Sequence, residues 1–356
     1  MSFWLNLPRP IIGLSPMDGV TDACFRSVIA QQGKPDVSFT EFTHVHDICH
    51  GPEKCLETLR YSEGERPIVA QLYGKDPERF YLAAQVVCEL GFDGLDINMG
   101  CPSKSVASSG SGAGLIRTPE LARAIMQAAK RGIEDWADGQ TLEQAGLKPV
   151  RIAMFERLNQ QRGDTSPPTR RRLPLSVKTR IGYDSVTVED WVEQLLLEAP
   201  AVLSLHGRTL QQMYRGTADW SAIGRAAALA RGTTTLVLGN GDIQRLDDIA
   251  GRVCDTGVDG VLVGRGVLGA PWFFRAKERA RIGVSGVRDP EVGSDVCARP
   301  LHERFAVLVE HARQFTQFFG AQQFHRMRKH LGWYCKGFPH AASLRAQMVR
   351  VSSVEE

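Results

Sequence analysis

Eight short apolar runs, each followed by a stretch with helical spacing, organise the chain from residue 11 to residue 266. They cover residues 11–17, 37–42, 67–74 (PIVAQLYG), 94–101 (GLDINMGC), 173–181 (LPLSVKTRI), 201–208 (AVLSLHGR), 235–240 (TLVLGN) and 260–266 (GVLVGRG). Runs that are apolar almost throughout, rather than at alternate positions, mark parallel strands covered on both faces. Between them, Asp76-Pro77-Glu78 supplies an N-cap, an N1 proline and a first-turn acid for a helix that stops at Gly91, and Thr118-Pro119-Glu120 opens another in the same way. Residues 188–198, 221–230 and 246–255 fill later crossovers. Strand and helix alternating eight times predict an α/β fold of the TIM (β/α)8 barrel type. An open, doubly wound sheet is the competitor, and eight units favour closure.

Two segments depart from this rhythm. About forty residues, roughly 132–172, separate the fourth helix from the fifth strand, far more than an ordinary connection. This stretch is expected to be an insertion, partly helical between Thr141 and Arg162 and flexible afterwards, with Arg170-Arg171-Arg172 on a solvated loop. Beyond a last barrel helix at 271–280, Gly, Pro and Ser mark a linker at 283–300. From Leu301 to Arg350 the spacing is helical throughout, with Phe315, Phe318, Phe319 and Trp333 mostly in a core. The expected division is a catalytic barrel at 1–282, the linker at 283–300, and a small all-α domain at 301–356.

Composition changes this picture little. Net charge is +3 over 356 residues, which neither demands nor excludes a nucleic acid; clustering says more. Basic residues bunch at Arg326, Arg328, Lys329, His330 and Lys336. Eight cysteines without a C-x-x-C pair read as free thiols in a reducing compartment. With no signal-like start and no apolar run of about 18 residues, the expectation is a cytoplasmic protein that does not enter a membrane. Nothing asks for an obligate protein partner.

In a TIM barrel the chemistry sits at the C-terminal ends of the strands. Those ends carry Pro16, Met17 and Asp18; Gln71; Asn98 and Cys101; Lys178 and Arg180; His206 and Arg208; Asn240, Gly241 and Asp242; and Gly264 and Arg265. Glycines after the last two strands let backbone N–H groups approach phosphate oxygens, and Arg265 adds a charged fork. Tight turns alone explain glycine; both loops together with an arginine favour phosphate. Lys178 is either a cation within a barrel layer or, beside a flavin, a group that stabilises negative charge on the reduced ring. His206 suits a core histidine equally well, but its position two residues before Arg208 favours function. A thiol with a pKa near ~8.5 stays mostly protonated at neutral pH and can donate a proton, which singles out Cys101 in its Gly-Cys-Pro loop. Burial as a small hydrophobe suits Cys24, Cys88 and Cys254. His44, His46, Cys49 and His50 crowd together, but ligands so close in sequence rarely converge, and no metal is expected.

Five segments, in order and in spacing, carry a resemblance. They are Ser15-Pro16-Met17-Asp18-Gly19-Val20-Thr21-Asp22 with Phe25-Arg26; Asn98-Met99-Gly100-Cys101-Pro102; His206-Gly207-Arg208-Thr209; Gly239-Asn240-Gly241-Asp242-Ile243; and Gly264-Arg265-Gly266 with Leu268-Gly269-Ala270-Pro271-Trp272. Over residues 11 to about 275 the chain resembles the tRNA-dihydrouridine synthase family, which also places a helical domain at its C-terminus. The resemblance implies reduction of a uridine in tRNA to 5,6-dihydrouridine with bound FMN, and NADPH as reductant. Pro16, Met17 and Asp18 would line the flavin, Gln71 would bond its ring edge, and Lys178 and His206 would lie near the ring or its phosphate arm. Asn240, Gly241, Asp242, Gly264 and Arg265 would hold the ribityl phosphate. Asn98 would contact the uracil and Cys101 would protonate C5. Arg180 and Arg208 at the mouth, and Arg326 and Lys329 on the helical domain, are expected to contact the RNA.

The principal alternative is an FMN barrel acting on a small molecule, dihydroorotate dehydrogenase-like or ene-reductase-like. It accounts for Lys178 and the phosphate loops but not for the basic helical tail. A flavin-free RNA-binding barrel accounts for the tail but leaves the phosphate loops and Cys101 without purpose.

Overall fold

A computed structural model describes residues 2–163, 168–284 and 299–356. Its strands are β1 Ile11–Leu14, β2 Ser38–Phe39, β3 Thr43–His44, β4 Ile68–Tyr73, β5 Gly94–Met99, β6 Leu175–Arg180, β7 Val202–His206, β8 Leu236–Asn240 and β9 Gly260–Val263. All pair in parallel, in the order β1-β9-β8-β7-β6-β5-β4-β2, and β3 continues the second stave beside β4. The second stave is split because Thr40 turns its hydroxyl to accept the Gln71 N–H at 3.0 Å, where a ladder carbonyl would otherwise sit.

No ladder joins β1 to β2. Instead Leu14 N–H donates to the Val37 carbonyl and Asp36 N–H to the Ile12 carbonyl, both at 3.0 Å. The Asp36 carboxylate also accepts from Ile12 N–H at 2.7 Å and pairs with Lys277, at 2.7 Å, and Arg281. These contacts close the eight-stave TIM barrel.

The helices are α1 Ala23–Gly33, α2 Val45–His50, α3 Pro77–Glu89, α4 Lys104–Ser108, α5 Pro119–Ala137, α6 Pro149–Arg162, α7 Val188–Leu196, α8 Trp220–Ala230, α9 Asp247–Thr256, α10 Lys277–Val284, α11 Leu301–Phe319, α12 Arg328–Tyr334 and α13 Ala341–Met348. Asp76 caps α3 through Glu78 and Arg79 N–H, as its sequence predicts. Thr118 makes no such side-chain bond, so α5 starts on its N1 proline alone. The α3–α5 contact is close enough that a Cβ on Gly132 would collide with the Tyr81 carbonyl oxygen.

The long connection is more ordered than expected. α5 continues to Ala137, and α6 buries Phe155 while Ile152, Met154 and Leu158 pack on the main core. Buried Arg151 donates to the carbonyls of Asp47, Ile48 and Gly51 at the end of α2. α6 thereby covers the second βα unit, whose own helix has six residues. The three arginines lie exposed on a loop, as expected, but each has a partner in the protein. Arg170 stacks on Trp136 at 4.3 Å, Arg171 pairs with Asp93 at 2.9 Å and Arg172 reaches Asp138 at 3.5 Å. Residues 164–167, where flexibility was expected, lie outside the described residues, as does the linker except at its two ends.

Helices α11 to α13 share their apolar core with the barrel: Leu308, Phe315, Leu331 and Tyr334 pack with Cys24 and Val28 of α1 and with Trp272. His330, expected among the surface basic residues, is instead fully buried there with His311. Phe25 lies against both rings, at 5.3 and 4.8 Å, and His311 Nδ1 is 3.2 Å from the Tyr334 hydroxyl. Burial pushes His311 down to about 3 and His330 well below the ordinary value. Of the three cysteines expected to be buried, Cys24 and Cys88 are, but Cys254 is exposed.

Candidate active site at the barrel mouth

The C-terminal ends of the strands surround a cavity of about 570 Å³. Pro16, Met17, Asp18, Gln71, Lys178, His206, Asn240, Gly241, Asp242, Gly264 and Arg265 all line it, together with Asn98, Cys101 and Arg180. Arg208, Arg326 and Lys329 do not.

The loop after β5 is held from the strand itself. Asn98 Oδ1 accepts N–H bonds from Gly100 (3.0 Å) and Cys101 (2.8 Å). This carboxamide is therefore committed to shaping the loop before any ligand arrives. Cys101 is buried, and burial raises its thiol pKa; Ser103 N–H, Arg180 and Lys178 oppose the shift and Asp18 adds to it. The thiol stays protonated, as a proton donor must. Arg180 donates to the carbonyls of Gly100 (2.7 Å), Thr209 (3.1 Å) and Met213 (3.2 Å) and so binds the loops after β5 and β7 together. Burial lowers it to about 10.

Lys178 and His206 lie deeper. Lys178 Nζ is 3.2 Å from Asn240 Oδ1, and burial lowers its pKa to about 8. His206 is pushed down to about 2, first by burial and then by Arg180, Lys178, Arg208 and Arg265. It is therefore a neutral imidazole, and its buried Nδ1 has no partner among the described residues.

The loops after β8 and β9 are built around one acid. Asp242, in the left-handed region at φ 54°, accepts from Arg208 at 2.7 and 2.9 Å, from Ala218 N–H at 2.7 Å and from Arg265 at 3.0 Å. Burial pulls its pKa up, but these donors more than offset that and hold it below the usual range. Arg208 is 2% exposed and also donates to the carbonyls of Arg215 and Gly216. Arg208, expected to contact RNA, braces a loop through these bonds, and its buried Nη1 has no partner among the described residues. Arg265 keeps half of its side chain exposed and can reach a ligand. A Cβ on Gly241 would lie 2.6 Å from Ala218 Cβ and 3.5 Å from His206 Cδ2, so this turn admits only glycine.

The loop after β1 is gripped from two sides. Gly19 N–H donates to Glu41 Oε1 at 2.6 Å, and Lys329 Nζ, reaching across from α12, donates to the Gly19 carbonyl. Lys329 is thus a clasp between the C-terminal helices and the barrel rim. Arg326 pairs with Glu57 at 3.1 Å and lies over Phe319 at 4.6 Å. Both side chains are already engaged with the protein where RNA contacts were expected. Glu41, whose pKa burial raises to about 7, went unnoticed in the sequence because it falls within an apolar run. Asp96 went unnoticed for the same reason, although an acid inside GLDINMGC is itself a signal.

Among the described residues no three His, Cys, Asp or Glu side chains gather to hold a metal, and no helix is long and apolar enough to cross a membrane.

The family model described as dihydrouridine synthase matches residues 13–137 and 169–356, leaving out the stretch that contains α6. A probable tRNA-dihydrouridine synthase 2 of Bacillus subtilis (strain 168) is 33% identical over 360 residues, covering 100% of this chain and 94% of that protein. A probable tRNA-dihydrouridine synthase of Staphylococcus aureus (strain COL) is 31% identical over 362 residues, covering 100% and 93%. Among solved structures, DHODH in complex with ferulenol from Eimeria tenella superposes with a TM-score of 0.50 at 14% identity, over 77% of this chain and 81% of that one. That likeness is one of fold.

Proposed function

This chain belongs to the dihydrouridine synthase family of flavin-dependent oxidoreductases, and from that premise we propose that it reduces the C5–C6 double bond of a uridine in tRNA, with FMN at the barrel mouth and NADPH as reductant. The observation that carries the reading is the pairing, in one cavity, of a phosphate-sized cradle with a protonated thiol. The cradle fits the flavin's phosphate arm. Gly241 and Gly264 border the cavity without side chains, Arg265 is half exposed, and His206 offers an unpartnered buried nitrogen.

When bound, the flavin supplies the hydride to C6 of the uracil. The chain's own residues do the rest. Gly241, Gly264 and Arg265 hold the phosphate, with Asn240 and Asp242 shaping the loop. Pro16, Met17, Asp18 and Gln71 border the ring. Lys178 is a cation whose burial in the cavity floor strengthens its field on any charge placed above it. Cys101 gives its proton to C5, where negative charge collects after hydride addition, and is later reprotonated from solvent. A uridine stacked in folded RNA cannot enter this cavity, so it must be extruded. The helices of 301–356 form the surface on which the rest of the tRNA is held, by its backbone and shape.

The test is direct. Purified protein should absorb as a flavoprotein and, once reduced by NADPH, should be reoxidised by unmodified tRNA in the absence of oxygen, with dihydrouridine appearing by mass spectrometry. Reoxidation that ignores tRNA but responds to a small unsaturated carbonyl compound would move the protein to the small-molecule reductases.

A further inference from the structure

We propose that Asp96 is a positioning residue for the proton donor: its carboxylate fixes the direction of a chain of side-chain amides that ends on the main chain of Cys101. The proposal rests on the functional reading only in taking Cys101 to be the reactive group.

Asp96 lies on β5 and is wholly buried beneath the cavity. One of its oxygens accepts from Ser176 Oγ at 2.6 Å and the other from Gln71 Nε2 at 2.7 Å. Gln71 Oε1 then accepts from Asn98 Nδ2 at 2.9 Å. That leaves Asn98 Oδ1 for the N–H groups of Gly100 and Cys101. The chain spans β4, β5 and β6 and reaches the loop without touching the cavity's far wall.

A carboxamide has nearly the same shape when flipped, so packing alone cannot decide which end is oxygen. Hydrogen bonding decides it. An ionised carboxylate only accepts, and main-chain N–H groups only donate. With an acceptor-only group at one end and donor-only groups at the other, a single arrangement of both amides satisfies every bond. Burial raises the Asp96 pKa to about 6, against the pull of Ser176, Gln71 and Lys178, so the carboxylate is mostly ionised at neutral pH. A neutral amide at this position could present either end to Gln71. The reversed arrangement would then have one mismatched joint instead of two, and the anchor of the Cys101 loop would be fixed only from the loop's own N–H groups.

Asp96→Asn tests this, with two readouts on the full-length, flavin-loaded protein. The first is tRNA-dependent flavin reoxidation, which should slow about 10- to 100-fold at saturating tRNA. The half-saturating tRNA concentration and the flavin content should hold within about twofold, and NADPH reduction should be no slower. The second is alkylation of Cys101 by iodoacetamide, followed on its own peptide by mass spectrometry. It should quicken about 10-fold as the loop loosens. Ser176→Ala, which keeps the charge and removes one bond, should shift both readouts the same way by about 3-fold, and it decides the matter if Asp96→Asn does not fold. Alkylation and reoxidation both within twofold of wild type would overturn the proposal. So would a parallel loss of flavin and of both half-reactions, which would mean a merely structural role. If wild-type protein is not reoxidised by tRNA, the functional reading fails, and Cys101 alkylation still tests the Asp96 chain.

Discussion

At the barrel mouth, charged and polar groups gather around open space; across the C-terminal helices they are used as fastenings. Lys178, Arg180 and Arg265 border the cavity. Lys329, Arg326 and Lys336, by contrast, reach the Gly19 carbonyl, Glu57 and the Leu268 carbonyl, all of them barrel groups. The C-terminal helices have no apolar core apart from α1 and Trp272, and those bonds secure their rim. The contrast teaches that a basic cluster in a sequence has two physical uses. A cation beside a cavity serves a ligand, whereas a cation beside a carbonyl or carboxylate holds two parts of the chain together. Which use applies depends on partners hundreds of residues away.

The largest effect that would sharpen this contrast belongs to the mouth. Cys101→Ala should cost about 10²–10⁴-fold in tRNA-dependent flavin reoxidation, with NADPH-dependent reduction nearly unchanged in rapid mixing. Equal slowing of both steps would make Cys101 a support rather than an acid. Next comes Arg208, which fastens loops as Arg180 does but, unlike Arg180, does not border the cavity. Arg208→Ala leaves Asp242 partly buried without its main partner and should cost about 3–5 kcal/mol of stability, read by denaturant unfolding; a loss below about 1 kcal/mol would place Arg208 with the ligand-facing cations after all.

The buried histidines give the C-terminal helices a pH signature of the same sign as the one His206 gives the mouth. His311 and His330 are held neutral in the fold, with pKa values below the ordinary ~6.5. The unfolded chain therefore binds more protons below that value. Their contribution is fully present above about pH 6.5 and is lost as pH falls toward about 3 for His311. From about pH 7 to about pH 5 His311 should remove about 2 kcal/mol, and His330 acts in the same direction. Thermal unfolding of His330→Phe should show a shallower acid slope than wild type, and an unchanged slope would remove His330 from the account. Arg265→Ala should weaken FMN retention about 10-fold while leaving the melting temperature alone; unaltered flavin content would break the phosphate assignment. The smallest effect tests the fastenings. Charge reversal at Arg326 should cost under about 1 kcal/mol. With Lys329 reversed as well, the salt slope of tRNA binding should fall by roughly 1 for each phosphate that is no longer neutralised. An unchanged slope would mean that these cations act only between the two parts of the chain.

What the sequence revealed follows the same division. The strands were legible because residues such as Ile97, Val177 and Val261 are apolar on both faces, and the mouth because polar residues break those runs at one end. The partners of each charge were not legible. Arg208 and Arg265 look alike in sequence, yet one is buried against Asp242 and the other half exposed. α6 was legible as a helix within 141–162, but its packing on the barrel was not, because it is anchored by a buried arginine, Arg151, and one aromatic, Phe155, rather than by a regular apolar stripe. His330 hid among its basic neighbours, and Asp96 inside an apolar run.

The join between β1 and the second stave is the thinnest place in the wall. Each other pair of neighbours shares a ladder; this one has two main-chain bonds and the Asp36 carboxylate. The barrel therefore behaves as an arc fastened by a buckle, and local breathing should begin there. The same strand carries Pro16, Met17 and Asp18 into the cavity. A ligand that rests on those residues favours the buckled form by mass action, so the amides of Ile12 and Leu14 should exchange with solvent deuterium more slowly once the cavity is filled. Occupancy of the mouth becomes visible at the seam, in protons that never touch the ligand.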